Sequence, residues 1–224
     1  MEAGKTEATG DRPLPTSGRH GIDVASQRVD ELDAACLRFA LERAPCVAVD
    51  LGCGSGFQGL RLALLGCRTL LVDRIDPHPL VSVACGGLPL RHLQADLAQL
   101  RPDQMPDGVG IATSQRFLHY LRFDEALNFL KTVSGRIFLS ASGLESELGS
   151  GYPAMGEPLH RRFARLDPEI GRRHQILVPV CLYAERDMSR ILVISGFEVL
   201  VCFRSPFGNV KAIGEVPAQR PGAV

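Results

Sequence analysis

Cys46 to Gly59 reads CVAVDLGCGSGFQG, and the reading of this stretch decides the fold. Cys46 to Leu51 is a short apolar run of the kind a buried parallel strand shows. Glycines follow at positions 52, 54, 56 and 59. Next comes an apolar helical pattern, Leu60, Leu62, Ala63, Leu64 and Leu65, closed by Gly66 at a C-cap position. Strand, glycine loop and helix in this order make a ligand cradle. Glycine lets the backbone turn sharply and lets a ligand approach with no Cβ in the way. The helix then points the positive end of its dipole at whatever sits there.

Gly54-Ser-Gly56-Phe-Gln-Gly59 also satisfies the G-x-G-x-x-G dinucleotide fingerprint. Asp50 separates the two readings. It stands just ahead of the glycines, where a dinucleotide would put its pyrophosphate, and an unpaired carboxylate there would repel it. A ligand with a positive centre and no phosphate reverses the sign. Val49 to Gly56, V-D-L-G-C-G-S-G, resembles motif I of the class I S-adenosylmethionine-dependent methyltransferases.

That resemblance implies an α/β fold: a doubly wound, seven-stranded, mostly parallel sheet with an antiparallel C-terminal hairpin strand and helices on both faces. It implies S-adenosyl-L-methionine as cofactor and S-adenosyl-L-homocysteine as product. Gly52, Cys53, Gly54 and Gly56 would cradle the methionine and ribose part, and Asp50 would hold the loop and face the positive end. Asp96 would meet the adenine amino group, with the Leu97 N–H on the ring. Ser114 or Gln115 would offer a backbone carbonyl to the ammonium. Arg19 would pair with the methionine carboxylate.

The second apolar run, Thr69 to Val72, ends at Asp73, followed by Arg74. A carboxylate at the end of a second strand can accept hydrogen bonds from both ribose hydroxyls. Asp76 is the rival, but Pro77 beside it signals a turn.

The remaining chain fits around this core. Residues 1–18 are polar and rich in glycine and proline, which predicts a disordered tail. Residues 19–224 read as a single domain. Val24 to Arg43 is helical in pattern, with Val29, Leu32, Cys36 and Phe39 at three- and four-residue steps. His78 to Gly86 predicts a short helix and Leu90 to Gln94 a third strand. Gly108 to Thr113 reads as a fourth strand, Phe123 to Val133 as a helix and Arg136 to Ala141 as a fifth strand. From Ser142 to about Cys181 the pattern fails, and such a long connection predicts a lid, a substrate-binding element or disorder. It carries Arg161, Arg162, Arg165, Arg172 and Arg173, which could meet an anionic substrate or form a solvated face. Glu185 to Ile194 is a helix by pattern. Phe197 to Arg204 and Val210 to Val216 form the closing hairpin.

At 224 residues the chain suits one domain with a sizeable core. Its formal net charge is zero, so no global field draws it to nucleic acid or a membrane. No Asn-Pro-Pro-Tyr or Asp-Pro-Pro-Tyr segment follows the fourth strand, which also argues against nucleic-acid bases as acceptors. Lysine occurs only at positions 5, 131 and 211, so most basic residues are arginine. The seven cysteines contain no C-x-x-C pair, which points to a reducing, cytoplasmic setting without a zinc site.

Methyl transfer is an in-line displacement on a carbon already activated by positive sulfur, so positioning does most of the work. The expected acceptor is an oxygen, nitrogen or sulfur nucleophile of a small molecule or a protein. His119 is the candidate base, since an ordinary imidazole titrates near neutrality. His20 and Tyr152 are weaker candidates. Two other readings stay open: a cofactor-binding regulatory module without turnover, and a nicotinamide-dependent oxidoreductase.

Overall fold

The computed structural model describes residues 29–217. In chain order it runs α1 (Glu31–Arg43), β1 (Val47–Leu51), α2 (Phe57–Leu64), β2 (Arg68–Asp73), α3 (Pro79–Ala84), β3 (Leu90–Gln94), β4 (Val109–Ser114), α4 (Phe123–Lys131) and β5 (Arg136–Ala141). It continues with α5 (Pro168–His174), α6 (Glu185–Ile194), β6 (Glu198–Arg204) and β7 (Val210–Glu215). The strands form one seven-stranded sheet in the order β3-β2-β1-β4-β5-β7-β6. β1 to β5 are parallel, and β7 inserts antiparallel between β5 and β6. The doubly wound sheet with its antiparallel closing hairpin is the architecture expected from the sequence.

The apolar runs of the inner strands follow from burial on both faces. Ala48, Ile111 and Phe138 point to one side, where they pack with Leu32, Cys36 and Ala40 of α1 and Leu62 of α2. Their neighbours Val49, Ala112, Ile137 and Leu139 point to the other, against Phe129 and Leu130 of α4 and Met188, Ile191 and Leu192 of α6. Gly59 lets α2 lie close on the sheet. A Cβ there would come within 2.1 Å of Leu71 Cδ2 on β2.

Some boundaries differ from expectation. α1 starts at Glu31, after Val29 and Asp30; the expected start, Val24, lies outside the described residues. Asp30 caps it, accepting from the N–H groups of Leu32 and Asp33, while Asp33 reaches back to the Asp30 N–H. Val29, read as part of the helical repeat, lies ahead of that cap and is 46% exposed. The segment 142–181 is not a structureless connection. It folds into short 3₁₀ turns and α5 around an apolar cluster of its own, with Leu148, Tyr152, Leu166, Ile170, Ile176 and Val180. The tail 1–18, Arg19 and His20 lie outside the described residues. Among the described residues, no helix is long and apolar enough to cross a membrane.

Candidate active site: the crevice between β1 and β4

The chain winds outward from β1 to β3 and then crosses back to β4. The strand order therefore reverses between β1 and β4, and open α/β sheets bind ligands beyond the carboxyl ends of the strands at such a switch point. Two loops meet there: Gly52 to Gly56 after β1, and Gln115 to Phe117 after β4.

The first loop is built on left-handed backbone, with φ of +72° at Gly52, +52° at Gly54 and +81° at Gly56. Two carboxylates anchor it and the first turn of α2 behind it. Asp50, buried on β1, accepts from the Gly59 N–H at 2.8 Å. Asp73, at the end of β2, accepts from the Gly54 N–H at 2.8 Å through Oδ2. Its Oδ1 takes the N–H groups of Arg74 (2.7 Å) and Ile75 (3.2 Å). With two acceptor positions per oxygen, Oδ2 keeps one for a ligand. Cys53, in the middle of the loop, is a free thiol pushed well up by burial and by Asp50 and Asp73.

The second loop rests on the first. A Cβ on Gly52 would come within 2.6 Å of the Phe117 ring, so only glycine permits this approach. Arg116 carries a φ of +50°, held by its N–H donating to the Ser140 carbonyl and to Ser140 Oγ, both at 3.0 Å. Ser140 Oγ donates to Gln115 Oε1 at 2.6 Å, and Gln115 Nε2 donates to Asp33 Oδ1 at 2.9 Å. This chain of bonds ties α1 to the ends of β4 and β5. Lys211 of β7 adds to it by pairing with Asp30 at 2.7 Å and Glu31 at 3.0 Å. Ser114 and Thr113, at the end of β4, are fully buried with hydroxyls that have no hydrogen-bond partner among the described residues.

Asp33 is the member of the site that sequence reading missed. Asp30 and Asp33 bracket the first turn of a helix, so the local pattern reads as a cap. Only the tertiary bond to Gln115 shows its second role. Asp33, Asp50 and Asp73 form an acidic group. Burial raises Asp50 to about 7, and Asp33 and Asp73 push it the same way, against the Gly59 N–H and Arg61. Burial and Asp30 raise Asp33 as well.

Other sequence candidates are placed less centrally. Asp96 caps the 3₁₀ turn Leu97–Gln99, accepting from the Ala98 N–H at 3.0 Å through Oδ1. Leu97 is buried in the core. The Arg74 carbonyl accepts from Gln94 Nε2 on β3. His119 is 2% exposed, and neither ring nitrogen has a hydrogen-bond partner among the described residues. Burial, and then the charge of Arg116, pull its pKa down to about 3. The Tyr152 hydroxyl donates inside the 142–181 cluster, to the carbonyls of Val180 (2.7 Å) and Arg162 (3.2 Å). The arginines of that segment do not form one patch. Arg162 is buried against Asp187, Arg165 holds the Leu177 carbonyl, and Arg173 bridges Glu147 and Glu169.

No protein-family profile and no curated protein sequence matches the chain. Solved structures do. A Burkholderia thailandensis 1,6-didemethyltoxoflavin-N1-methyltransferase, with 1,6-didemethyltoxoflavin and S-adenosylhomocysteine bound, aligns with a TM-score of 0.64 at 17% identity. The alignment covers 88% of this chain and 81% of that one. An S-adenosylmethionine-dependent methyltransferase from Clostridium acetobutylicum aligns at 0.63 and 13% identity, covering 88% and 96%. The fold is that of the class I S-adenosylmethionine-dependent methyltransferases. A Synechocystis magnesium protoporphyrin IX methyltransferase with S-adenosylhomocysteine bound shares it, with a TM-score of 0.58 at 16% identity over 85% of this chain and 82% of that one. Within this methyltransferase fold, the motif I resemblance falls on the loop at the switch point.

Proposed function

We propose that the chain is an S-adenosylmethionine-dependent methyltransferase that transfers the methyl group in line to an oxygen, nitrogen or sulfur nucleophile of a small molecule or a protein side chain. The observation that carries this reading is the acidic group Asp33, Asp50 and Asp73 around a loop of bare backbone at the switch point. A negative field there favours a ligand bearing a sulfonium and an ammonium and disfavours a pyrophosphate. When bound, S-adenosylmethionine supplies a methyl carbon activated by positive sulfur.

The residues fit that ligand in chemistry as well as charge. Asp73 Oδ2 has an acceptor position left for a ribose hydroxyl, and Asp96 Oδ2 is outside its cap bond and suits the adenine amino group. Gly52, Gly54 and Gly56 give the methionine and ribose part its close approach. Ser114 and Gln115 supply carbonyls at the crevice for the ammonium, with Gln115 itself fixed by Asp33 and Ser140. Arg19 takes the methionine carboxylate in this scheme. A histidine with a pKa of about 3 is too weak a base to hold a proton from an amine or a phenol near neutral pH. His119, buried and set against Tyr120 at 4.1 Å between ring centroids, is therefore assigned a packing role, and the transfer relies on alignment of the acceptor. The segment 142–181 is assigned to acceptor binding. Tyr120 packs into its apolar cluster, and the Cys181 N–H donates to the His119 carbonyl at 2.7 Å, so this segment and the loop after β4 form one wall.

Isothermal calorimetry tests the reading. Both S-adenosylmethionine and S-adenosylhomocysteine should bind at micromolar concentrations, and reduced nicotinamide dinucleotide should give no heat. A folded protein that binds neither nucleoside, or that prefers the dinucleotide, would overturn it.

A further inference from the structure

We propose that Cys46 and Cys67 close into a reversible disulfide that staples β1 to β2 beneath the crevice, formed by exchange with a low-molecular-weight disulfide of the glutathione class. The two sulfurs already stand 3.5 Å apart. The parallel register pairs Val47 with Arg68, and the Arg68 N–H donates to the Cys46 carbonyl at 2.8 Å, so the two cysteines stand side by side immediately before neighbouring strands. A bond of about 2.05 Å then needs side-chain rotation and little backbone movement. All seven cysteines lie within the described residues as free thiols, so both partners are available.

The two thiols are not equivalent. Cys46 is partly exposed, whereas Cys67 is fully buried. Burial, and then the hydrogen bond with Cys46, push the Cys67 thiol up to about 12. Cys46 is therefore the entry point and Cys67 the resolving partner. The Cys46 thiolate attacks one sulfur of oxidised glutathione, and one glutathione thiolate leaves. Cys67 sulfur then displaces the second glutathione from the mixed disulfide. The two protein thiols are oxidised, one glutathione disulfide is reduced to two thiols, and the two protons pass to the departing thiolates. The two cysteines are 21 positions apart and enclose β1, the glycine loop and α2, at the opposite ends of β1 and β2 from the crevice.

The test uses the full chain, folded, in oxidised and reduced glutathione buffers, followed by acid quench, alkylation and peptide mapping. A peptide linking Cys46 to Cys67 is expected, lighter by two hydrogens and fully reversed by dithiothreitol. Cys36→Ser should leave the link intact, and Cys46→Ser should leave Cys67 alkylatable. Amide exchange across residues 47–66 should slow in the oxidised protein. The proposal fails if both thiols stay alkylatable in a buffer that oxidises the urea-unfolded chain. It also fails if Cys67 links to Cys36, if glutathione stays on Cys46, or if amide exchange is unchanged by oxidation. The wild-type protein alone decides the first of these, so a variant that misfolds cannot mask the answer.

Discussion

The two walls of the crevice are held by different kinds of force. The glycine loop is fixed by backbone N–H groups donating to two carboxylates, Asp50 and Asp73, both within the same strand–loop–helix–strand unit. The 142–181 segment, proposed above as the second wall, is fixed by an apolar cluster and by a buried ion pair to α6. Its buried Arg162 donates to Asp187 of α6 at 2.5 Å, to the Leu182 carbonyl at 3.1 Å and to the Glu157 carbonyl at 2.9 Å. The first wall presents charge and bare backbone to a ligand. In the second, Arg162 and Arg173 are paired with carboxylates of the protein itself. If the first region binds the cofactor and the second the acceptor, as proposed, a loop held by backbone bonds to carboxylates and a segment held by packing and a buried ion pair would respond differently to substitution.

Asp187→Ala should therefore damage the second wall most. It leaves the Arg162 guanidinium buried without its carboxylate and removes the acceptor of the Ala184 N–H at the start of α6. Breaking one side of such a buried pair costs about 3–5 kcal/mol, and urea unfolding should show a loss at the lower end of that range because two carbonyls still accept from Arg162. If the variant unfolds at the wild-type midpoint, the pair is not what fixes this wall.

Asp73→Ala acts on the first wall. It should weaken S-adenosylhomocysteine binding by about 1–3 kcal/mol, the usual loss for hydrogen bonds to a charged group. Calorimetry measures it. An unchanged dissociation constant would move the ribose role to Asp76, which lies exposed beyond the turn.

The same contrast explains what the sequence revealed. β3, β5 and α6 fall at the residues expected from pattern, and β1, β2 and β4 within one residue of them at either end. Strands buried on both faces read as apolar runs wherever they lie. The positive φ at Gly52, Gly54 and Gly56 was legible because only glycine adopts it freely. Asp33 was hidden because its site bond is to Gln115, 82 residues away. The 142–181 fold was hidden for the same reason: Leu148, Tyr152 and Val180 pack together with no shared helical or strand period to announce it. His119 misled in the opposite way. Its residue type suggested proton transfer, while its burial, invisible in sequence, lowers its basicity.

Asp50 gives a smaller effect that depends on pH. Its folded pKa of about 7 lies above the ordinary carboxylate value of 3.8. The folded state thus holds a proton that the unfolded chain has released, and this group makes the ligand-free protein less stable as pH rises from about 4 to about 7. A cationic cofactor reverses the preference by favouring the ionised form. Binding of S-adenosylmethionine should release a proton and tighten by up to about tenfold per pH unit below about 7, then level off. Asp33, raised in the same direction, adds to the slope. S-adenosylhomocysteine lacks the sulfonium and should show a shallower slope. Asp50→Asn keeps an acceptor for the Gly59 N–H and should flatten both curves. Equal slopes for the two nucleosides would show that the carboxylate does not sense the sulfur.

Arg173→Ala should have the least effect, and that is informative about the second wall. Arg173 bridges Glu147 at 2.6 Å and Glu169 at 2.9 Å, yet its side chain is 54% exposed. Water competes for such a pair, salt screens it, and long side chains lose freedom in making it. The unfolding midpoint should stay at the wild-type value at physiological ionic strength. If it falls as far as for Asp187→Ala, surface pairs and not the buried pair organise the 142–181 segment. The proposed division between a cofactor wall held by carboxylates and an acceptor wall held by a buried ion pair and packing would then have to be redrawn.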